Sequence, residues 1–280
     1  MKIGVPLFLL RPEHMVSVAV RAEALGFESV WLPEHLVFPI RIESRYPYAA
    51  DGIAPITPKT PLLDPFVVLA QVAARTTRIR VGTNIYLLPL RHPLETARTA
   101  VTLDLLSGGR LSLGVGAGWL QEEFEAVGID FHSRAGRLRE GVRVLRALWT
   151  EDEPQFHGRY FSFGPVKFEP KPVQKPHPPI LFGGESSAAL KRAAVLGDGW
   201  YGVRHTPATA AQQVTTLRAR LATAGRSTVP FEITVSCDVP LTREDVGRYA
   251  DVGVHRLVVL PWQRGREAEE QLTRLADAVL

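Results

Sequence analysis

Short apolar segments alternate with helical patterns along the whole of this 280-residue chain, and this alternation restricts the fold more than any other feature. Eight segments have the length and apolar content of strands, at residues 2–8, 28–33, 79–88, 110–118, 180–182, 199–201, 231–239 and 256–261. Between them, apolar residues recur at helical spacing, as at Met15, Val18, Ala22 and Leu25. Because strands that alternate with helices form parallel sheets, eight repeats predict an α/β fold, a (β/α)8 TIM barrel, with an open doubly wound sheet as the alternative.

Two stretches interrupt the alternation. Residues 36–64, after the second strand, are rich in proline and carry no strand or helix pattern. Residues 119–178, after the fourth strand, contain a helical pattern at 136–149 and a predicted small hairpin around Gly158. Long irregular segments in compact domains are usually lids or binding loops. We therefore predict one barrel domain over residues 1–280, with insertions at about 36–64 and 119–178.

Composition excludes several classes of protein. The apolar content of 45% is enough for a large core, and a net charge of +4 without a run of five basic residues argues against nucleic-acid binding. The single cysteine, Cys237, excludes a disulfide within the chain and a CxxC metal site. Neither a signal-peptide pattern nor an apolar stretch of membrane-spanning length is present. We expect a cytoplasmic protein without membrane or nucleic-acid partners.

Glu34 and His35 directly follow the second predicted strand. A barrel places function at the carboxyl ends of its strands, and a histidine there can exchange protons or hydrogen bonds with a bound ring near neutral pH. The alternative is a structural histidine that caps a loop. No further ligands at metal-binding spacing accompany it, so we predict no metal site.

The glycine-rich segment GVGAG at 114–118 ends the fourth predicted strand. It lacks the spacing, the position and the later acidic residue of a dinucleotide fingerprint. We interpret its glycines as room for a flat ring to lie on the backbone, and close strand–helix packing is the alternative.

The segment GGESS at 183–187 joins a buried apolar strand to a helix. Glycines allow a tight turn there, and Ser186 or Ser187 is predicted to cap the helix. The free N–H groups at a helix N-terminus suit a phosphate, although an ordinary strand–helix turn has the same pattern. Because the chain also lacks the GxSxG, P-loop and HExxH motifs, we infer that a cofactor carries its chemistry.

Several segments together resemble the bacterial luciferase-like superfamily, and its probable deazaflavin (coenzyme F420)-dependent oxidoreductases in particular. They are WLPEH (31–35), RYPYAADG (45–52), LPLRHP (88–93), TLDLLSGGRLSLGVGAGW (102–119), FHGRYFSF (156–163) and GDGW (197–200). The resemblance covers most of residues 1–203. It implies a (β/α)8 barrel that holds a flavin or deazaflavin at the carboxyl end of its strands, and family members often form homodimers.

The resemblance also implies roles for individual residues. It assigns His35 to the reactive edge of the ring and a non-proline cis peptide to Asn84–Ile85. It also implies a set of cofactor-binding residues, to which we add Glu34 as the neighbour of His35. The predicted set is Glu34, Thr83, Asn84, Ile85, Gly116, Ala117, Gly118, Gly183, Gly184, Glu185 and Ser186. Two positions depart from relatives: Ala117 replaces a phosphate-binding arginine of luciferase, and Trp119 replaces the glutamate acid of deazaflavin-dependent glucose-6-phosphate dehydrogenases.

The leading hypothesis is an F420-dependent oxidoreductase that transfers a hydride between the deazaflavin ring and a small organic substrate. One alternative is an FMN-dependent monooxygenase that uses reduced flavin and oxygen. Another is a non-catalytic flavin- or deazaflavin-binding protein, and a cofactor-free lyase is disfavoured because no lysine or paired carboxylates stand at strand ends. The sequence leaves the cofactor, the substrate and the physiological direction open.

Overall fold

A computed structural model describes all 280 residues of the chain. Its strands are β1 (Lys2–Pro6), β2 (Ser29–Leu32), β3 (Arg80–Thr83), β4 (Leu111–Val115), β5 (Phe156–His157), β6 (Ser162–Phe163), β7 (Ile180–Gly183), β8 (Gly199–Gly202), β9 (Glu232–Cys237) and β10 (Arg256–Val259). Its α-helices are α1 (Pro12–Leu25), α2 (Pro65–Arg75), α3 (Pro93–Leu106), α4 (Gln121–Ala126), α5 (Arg134–Thr150), α6 (Ser187–Leu196), α7 (Pro207–Thr223), α8 (Arg243–Asp251) and α9 (Ala268–Val279).

Eight parallel strands close into a barrel in the order β1-β10-β9-β8-β7-β4-β3-β2. β1 pairs with β10, which closes the barrel, and this pairing aligns Lys2 with Arg256. β4 pairs with β7, the next barrel strand along the chain, and this pairing aligns Leu113 with Ile180. The helices surround the strands, and one cluster of 57 buried residues fills the space between the two layers. The (β/α)8 prediction is confirmed, and the doubly wound alternative is excluded. The short strands β5 and β6 form a separate antiparallel hairpin, as predicted around Gly158.

The amino-terminal end of the barrel is closed by a buried ion cluster. Arg256, whose side chain is 1% exposed, binds Glu28 through Nε at 2.7 Å and also pairs with Glu232. The guanidinium lies 5.3 Å from the ring of Trp31, which fills the barrel interior. Since this end is filled, a ligand can approach the barrel interior only from the carboxyl ends of the strands.

Six predicted strands are longer than the observed ones, and the difference is largest for β3 and β4. The segment predicted at 79–88 leaves the ladder after Thr83, and the one at 110–118 leaves it after Val115. Beyond Thr83 the backbone finds other partners: Tyr86 N–H donates to the Gly114 oxygen, and a 3-10 helix spans Leu88–Leu90. Pro89 has no N–H to donate, which disfavours a strand there. The chain therefore turns across the barrel mouth instead of extending it.

The two irregular stretches have different structures. Residues 33–64 contain no helix or strand. The stretch after β4 contains α4 and a 3-10 helix at Phe131–Ser133, neither of which the sequence pattern predicts, and then α5, which starts two residues before the predicted 136. No helix in the chain combines the length and the apolar character that crossing a bilayer requires.

Candidate functional site

The carboxyl ends of the barrel strands surround a cavity of about 1510 Å³. Residues at or after the carboxyl ends of all eight barrel strands build its wall, together with side chains from segment 45–62 and from α5 and α6. All sequence-predicted site residues except Thr83 lie in this wall: Glu34, His35, Asn84, Ile85, Gly116, Ala117, Gly118, Gly183, Gly184, Glu185 and Ser186. The predicted residues are thus brought together in one place, at the end of the barrel where such folds carry their sites.

Thr83 is the one predicted site residue that lies behind the cavity wall. Its side chain is fully buried, and its hydroxyl donates to the backbone oxygen of Gly114 at 2.7 Å. This bond ties the end of β3 to β4 behind the cavity wall. The hydroxyl is therefore not available to a ligand.

Ile85 packs against three glycines that end neighbouring strands. A Cβ atom added to Gly116 would lie 2.8 Å from Ile85 Cγ2, and one added to Gly183 would lie 2.8 Å from Ile85 Cγ1. At Gly114 the nearest atom would be the backbone oxygen of Thr83, at 2.0 Å. Protein atoms thus fill the space beside these glycines, so close packing accounts for them; Gly116 and Gly183 also line the cavity, and their contact with a flat ring stays a prediction. Ile85 itself is part of the same wall.

The peptide bond between Asn84 and Ile85 is cis, as the family resemblance implies. The Asn84 amide donates to the Tyr201 hydroxyl at 3.0 Å. Its Oδ1 atom is buried and has no hydrogen-bond partner. A buried acceptor without a partner is costly, so this atom is a candidate contact for a donor group on a ligand.

His35 forms a buried pair with a residue that the sequence analysis missed. Its Nδ1 lies 2.8 Å from Glu123 Oε2, and the two side chains are 12% and 0% exposed. Glu123 Oε1 also accepts the N–H of Leu36 at 2.5 Å. The His35 Nε2 atom makes no hydrogen bond within the chain. Glu123 lies on α4, whose acidic run LQEEF next to the glycine-rich strand end was the available signal.

Glu34 points to the opposite side of the same loop. Within the protein, Leu87 N–H donates to Oε2 at 2.8 Å, and Arg91 forms an ion pair with Oε1, which is buried and accepts no hydrogen bond. The Arg91 guanidinium also lies over the Tyr86 ring at 4.8 Å. Burial raises the pKa of Glu34 to about 7 against the opposing charge of Arg91. Glu34 therefore joins the β2 and β3 loops, and its protonation state is poised near neutral pH.

The N-terminus of α6 forms one end of the cavity. Ser186 is the N-cap, and its Oγ accepts the N–H of Ala189 at 3.2 Å. The backbone N–H groups of Ser187 and Ala188 have no partner within the chain. Gly184 leads into this turn with a φ of 113°, a left-handed conformation that favours glycine. Free N–H groups at a helix N-terminus attract anions.

Two arginines that the sequence analysis missed line the same end of the cavity. Arg192 lies one turn along α6 from Ala188, and Arg134 begins α5. The Arg192 Nε atom is buried without a partner. Burial, and then the charges of Arg139 and Arg134, lower the pKa of Arg192. Two arginines without ion-pair partners, beside free N–H groups, make this end of the cavity electropositive. The i, i+4 spacing of Ala188 and Arg192 places both residues on one face of α6, and this was the available signal in the sequence.

Glu185 lies in the cavity wall, but its carboxylate contacts the protein. Its Oε1 accepts the N–H of Val203 at 2.8 Å, and its Oε2 lies 3.1 Å from His205 Nε2. His205 in turn lies 3.2 Å from the Thr209 hydroxyl through Nδ1. These contacts link the loop after β7 to the loop after β8. Glu185 thus holds the turn before α6 in place, and its predicted contact with a cofactor phosphate stays a prediction.

Aromatic residues from the irregular segment cover the histidine side of the cavity. Ring centroids of His35 and Trp119 are 5.9 Å apart, those of Trp119 and Tyr46 are 5.2 Å apart, and those of Tyr46 and Tyr48 are 5.3 Å apart. This series of edge-on contacts continues from the histidine toward α6, because Tyr48 also lines the cavity near Gly184. No group of three or more His, Cys, Asp or Glu side chains is arranged to hold a metal ion.

The chain is similar in sequence to several known proteins. The sequence pattern of the luciferase-like monooxygenases matches residues 7–276. An uncharacterized protein of Mycobacterium tuberculosis is 35% identical over 282 residues, which cover 99% of this chain and 98% of that protein. The F420-dependent glucose-6-phosphate dehydrogenase of Amycolatopsis mediterranei is 35% identical over 194 residues, 68% of this chain and 53% of that protein. The FMNH2-dependent dimethylsulfone monooxygenase of Pseudomonas putida is 34% identical over 138 residues, 48% of this chain and 38% of that protein.

Solved structures share the architecture. A monooxygenase from Streptomyces bottropensis superposes with a TM-score of 0.77 at 24% identity, covering 99% of this chain and 98% of that one. An F420-dependent secondary alcohol dehydrogenase, in complex with an F420-acetone adduct, superposes with a TM-score of 0.79 at 19% identity, covering 100% and 99% of the two chains. At these identities the likeness shows a common fold.

Proposed function

Because this chain belongs to the luciferase-like monooxygenase family, we propose that it is an F420-dependent oxidoreductase that transfers a hydride between the deazaflavin ring and a small organic substrate. The observation that carries the proposal is the arrangement of the cavity. A cationic end, formed by Arg192, Arg134 and the N-terminus of α6, lies across the barrel mouth from the pair His35–Glu123. The wall of Ile85 belongs to the same cavity.

The unsatisfied atoms of the cavity fit such a group. The buried Arg192 Nε and the free N–H groups of Ser187 and Ala188 would hold the phosphate of the cofactor tail, since charge-assisted bonds to an anion would satisfy all three. The buried Oδ1 of Asn84 would accept a bond from an N–H or O–H group of the cofactor. These residues also compensate for Ala117, because Arg192 and Arg134 supply the cations that the strand-four loop lacks.

The protein residues would supply position and proton transfer, and the bound deazaflavin would supply the hydride-accepting carbon. His35, held through Nδ1 by Glu123, would give or take the substrate proton through Nε2. Trp119 and Tyr46 would exclude water from the reacting atoms. The indole of Trp119 stands beside His35 and carries no charge, which favours a substrate of low charge at this position.

An FMN-dependent monooxygenase is the second candidate. Its support is the similarity to the dimethylsulfone monooxygenase of Pseudomonas putida, over a shorter part of the chain than the similarity to the F420-dependent glucose-6-phosphate dehydrogenase. The same cationic end would hold the FMN phosphate. A protein that binds either cofactor without turnover is the third candidate, and it would give His35 a structural role only.

Equilibrium titration of the apo-protein with oxidised F420 and, separately, with FMN tests the proposal. We expect F420 to bind more tightly than FMN by at least about tenfold, and the F420 absorbance to fall when the bound protein is mixed with a panel of small alcohols. Tighter binding of FMN, with oxygen consumption after the flavin is reduced, would support the monooxygenase instead. Binding of a cofactor without turnover by any substrate of the panel would support the binding protein.

A further inference from the structure

We propose that Glu123 is a positioning residue that determines which nitrogen of His35 carries the proton. In this assignment Nδ1–H donates to Glu123, and Nε2 is presented to the cavity as a proton acceptor. The inference deepens the proposed function and rests on it for the catalytic use of Nε2. The hydrogen bond itself can be tested without any cofactor.

The contacts of the Glu123 carboxylate define the direction of the bond. The side chain is fully buried, and its Oε1 accepts the backbone N–H of Leu36 at 2.5 Å, with that of Val37 at 3.4 Å. A backbone N–H can only donate, so Oε1 is an acceptor. The other oxygen, Oε2, lies 2.8 Å from His35 Nδ1. A carboxylate that is ionised has no proton to give, so we assign the Nδ1–H of the imidazole as the donor.

Hydrogen-bond partners surround the Glu123 carboxylate. Glu123 has no ion-pair partner except His35. A fully buried carboxylate requires hydrogen bonds to compensate for lost hydration, and those from His35, Leu36 and Val37 provide them.

Aromatic neighbours hold the ring in this orientation. The His35 ring meets the ring of Phe38 at 5.7 Å and that of Trp119 at 5.9 Å, both edge-on. A rotation that exchanged the two ring nitrogens would have to pass between these side chains and would break the bond to Glu123. The pair is therefore fixed by both packing and hydrogen bonding before a ligand arrives.

The proton balance of the proposed reaction requires this tautomer. Oxidation of a hydroxyl-bearing substrate to a carbonyl compound would need an acceptor for the hydride of its carbon, which a bound deazaflavin would supply, and a base for the proton of its hydroxyl. The lone pair of His35 Nε2 accepts that proton, and Glu123 stabilises the imidazolium that results. In the reverse direction the imidazolium returns the proton to the carbonyl oxygen. A histidine that already carried its proton on Nε2 could not accept the proton there.

The variant Glu123→Gln reverses the hydrogen bond without changing its shape. The Leu36 N–H still requires an acceptor, so the amide oxygen replaces Oε1 and the amide NH2 group faces His35 Nδ1. Nδ1 must then accept, and the proton moves to Nε2. The adjacent Glu122→Gln is the matched control, because Glu122 binds the backbone N–H groups of Glu43 and Ser44 and does not contact His35.

Nitrogen-15 NMR of the imidazole in apo-protein is the deciding measurement, with the signals assigned through a His35→Asn variant. We expect the wild type and Glu122→Gln to show Nδ1 protonated and Nε2 unprotonated at a pH where His35 is neutral. Glu123→Gln should show the two nitrogens exchanged. A wild-type protein with the proton on Nε2, or a Glu123→Gln variant that keeps it on Nδ1, would overturn the positioning role. The wild-type spectrum decides the matter even if Glu123→Gln does not fold.

Turnover gives a second, separate measurement. For Glu123→Gln we expect kcat to fall on the order of 100-fold, the range in which removal of acid–base catalysis lies, with the dissociation constant of F420 changed less than about twofold. Loss of cofactor affinity without loss of kcat would contradict the role in proton transfer. Failure of the wild type to bind F420 or FMN would instead contradict the proposed function, and it would be seen in the titration and not in the NMR spectrum.

Discussion

Arg192 is the residue at the cationic end of the cavity whose hydrogen bonding is incomplete. In a sequence it is an ordinary polar position of an amphipathic helix, and in the structure its Nε is buried beside free N–H groups of α6. A buried guanidinium N–H without a partner is costly, and a hydrogen bond to an anionic ligand would remove that cost. Arg192 therefore indicates a negatively charged ligand more directly than the glycines of the cavity wall do.

We predict that Arg192→Ala weakens F420 binding roughly 10- to 100-fold, because a hydrogen bond to a charged group contributes about 1.5–3 kcal/mol. Lys191→Ala is the matched control, since Lys191 is the adjacent cation, is exposed and does not line the cavity. Fluorescence titration would measure both constants. Equal affinity of Arg192→Ala and the control would mean that the phosphate binds elsewhere.

Glu34 makes the free energy of unfolding depend on pH. Burial raises its pKa to about 7 in the folded protein, above the 4.5 of an exposed glutamate. Between these two values the folded state binds more protons than the unfolded state, so this residue makes the free energy of unfolding decrease as pH rises through that range. At 1.36 kcal/mol per pKa unit, the decrease approaches about 3 kcal/mol.

We predict that Glu34→Gln removes this dependence. Urea denaturation of the wild type and the variant at pH 4.5 and pH 8 would measure it, and the difference between the two proteins should change by about 2–3 kcal/mol between the two pH values. Parallel pH profiles for both proteins would show that Glu34 is ionised throughout and that the ion pair with Arg91 outweighs burial.

At the scale of elements, the short helix α4 fastens the irregular segment to the barrel. Glu123 accepts the N–H groups of Leu36 and Val37, and Glu122 accepts that of Glu43 at 2.5 Å. Burial opposes ionisation of Glu122, but hydrogen bonds from the backbone of Ser44 and Glu43 lower its pKa to about 2. Since that pKa is lowered, the contact is present at neutral pH and is lost only in strong acid.

We predict that Glu122→Ala speeds amide hydrogen exchange at Glu43 and Ser44 by roughly tenfold or more, because both N–H groups lose their acceptor. Glu125→Ala is the control, as Glu125 lies on the same helix but is exposed and binds Gln121 within it. Mass spectrometry at pH 7 would measure the exchange. Equal rates in the two variants would mean that α4 does not hold the segment.

The packing of Ile85 against glycines is the second feature at this scale. Gly183→Ala would place a methyl group 2.8 Å from Ile85 Cγ1, and we predict a loss of about 1–3 kcal/mol in the free energy of unfolding. Combining it with Ile85→Ala should cost less than the sum of the two single changes, by about 1 kcal/mol. Gly164→Ala, where a Cβ meets nothing within 4 Å, is the control. Additive losses in the double variant would show that the two residues do not compete for space.

Also at the scale of elements, sequence patterns predicted those site residues whose location follows from their position along the chain. Glu34, His35 and the turn at Ser186 were found because they follow strands directly, and strand ends must meet in a barrel. Glu123 was missed because it lies on a six-residue helix without a detectable period. The contact of Glu185 with His205 was not predicted because the two residues are 20 positions apart and approach only through pairing of β7 with β8.

For the whole molecule, the alternation of strands and helices was sufficient to predict the barrel. Periodicity cannot predict which end of the barrel is filled, because this depends on Arg256 meeting Glu28 across 228 positions of sequence. With that end closed and the other open, the molecule has one large cavity, in which cationic and acid–base groups share a wall. The central claim is that a planar redox cofactor occupies this cavity in one defined orientation.

A crystal structure of the protein with bound F420 would test that claim most directly. We predict electron density for the ring against Ile85, with its reactive edge toward His35 Nε2 and its phosphate at Arg192 and the N–H groups of Ser187 and Ala188. A cavity left empty at saturating F420, or a phosphate bound at the His35 side, would contradict it.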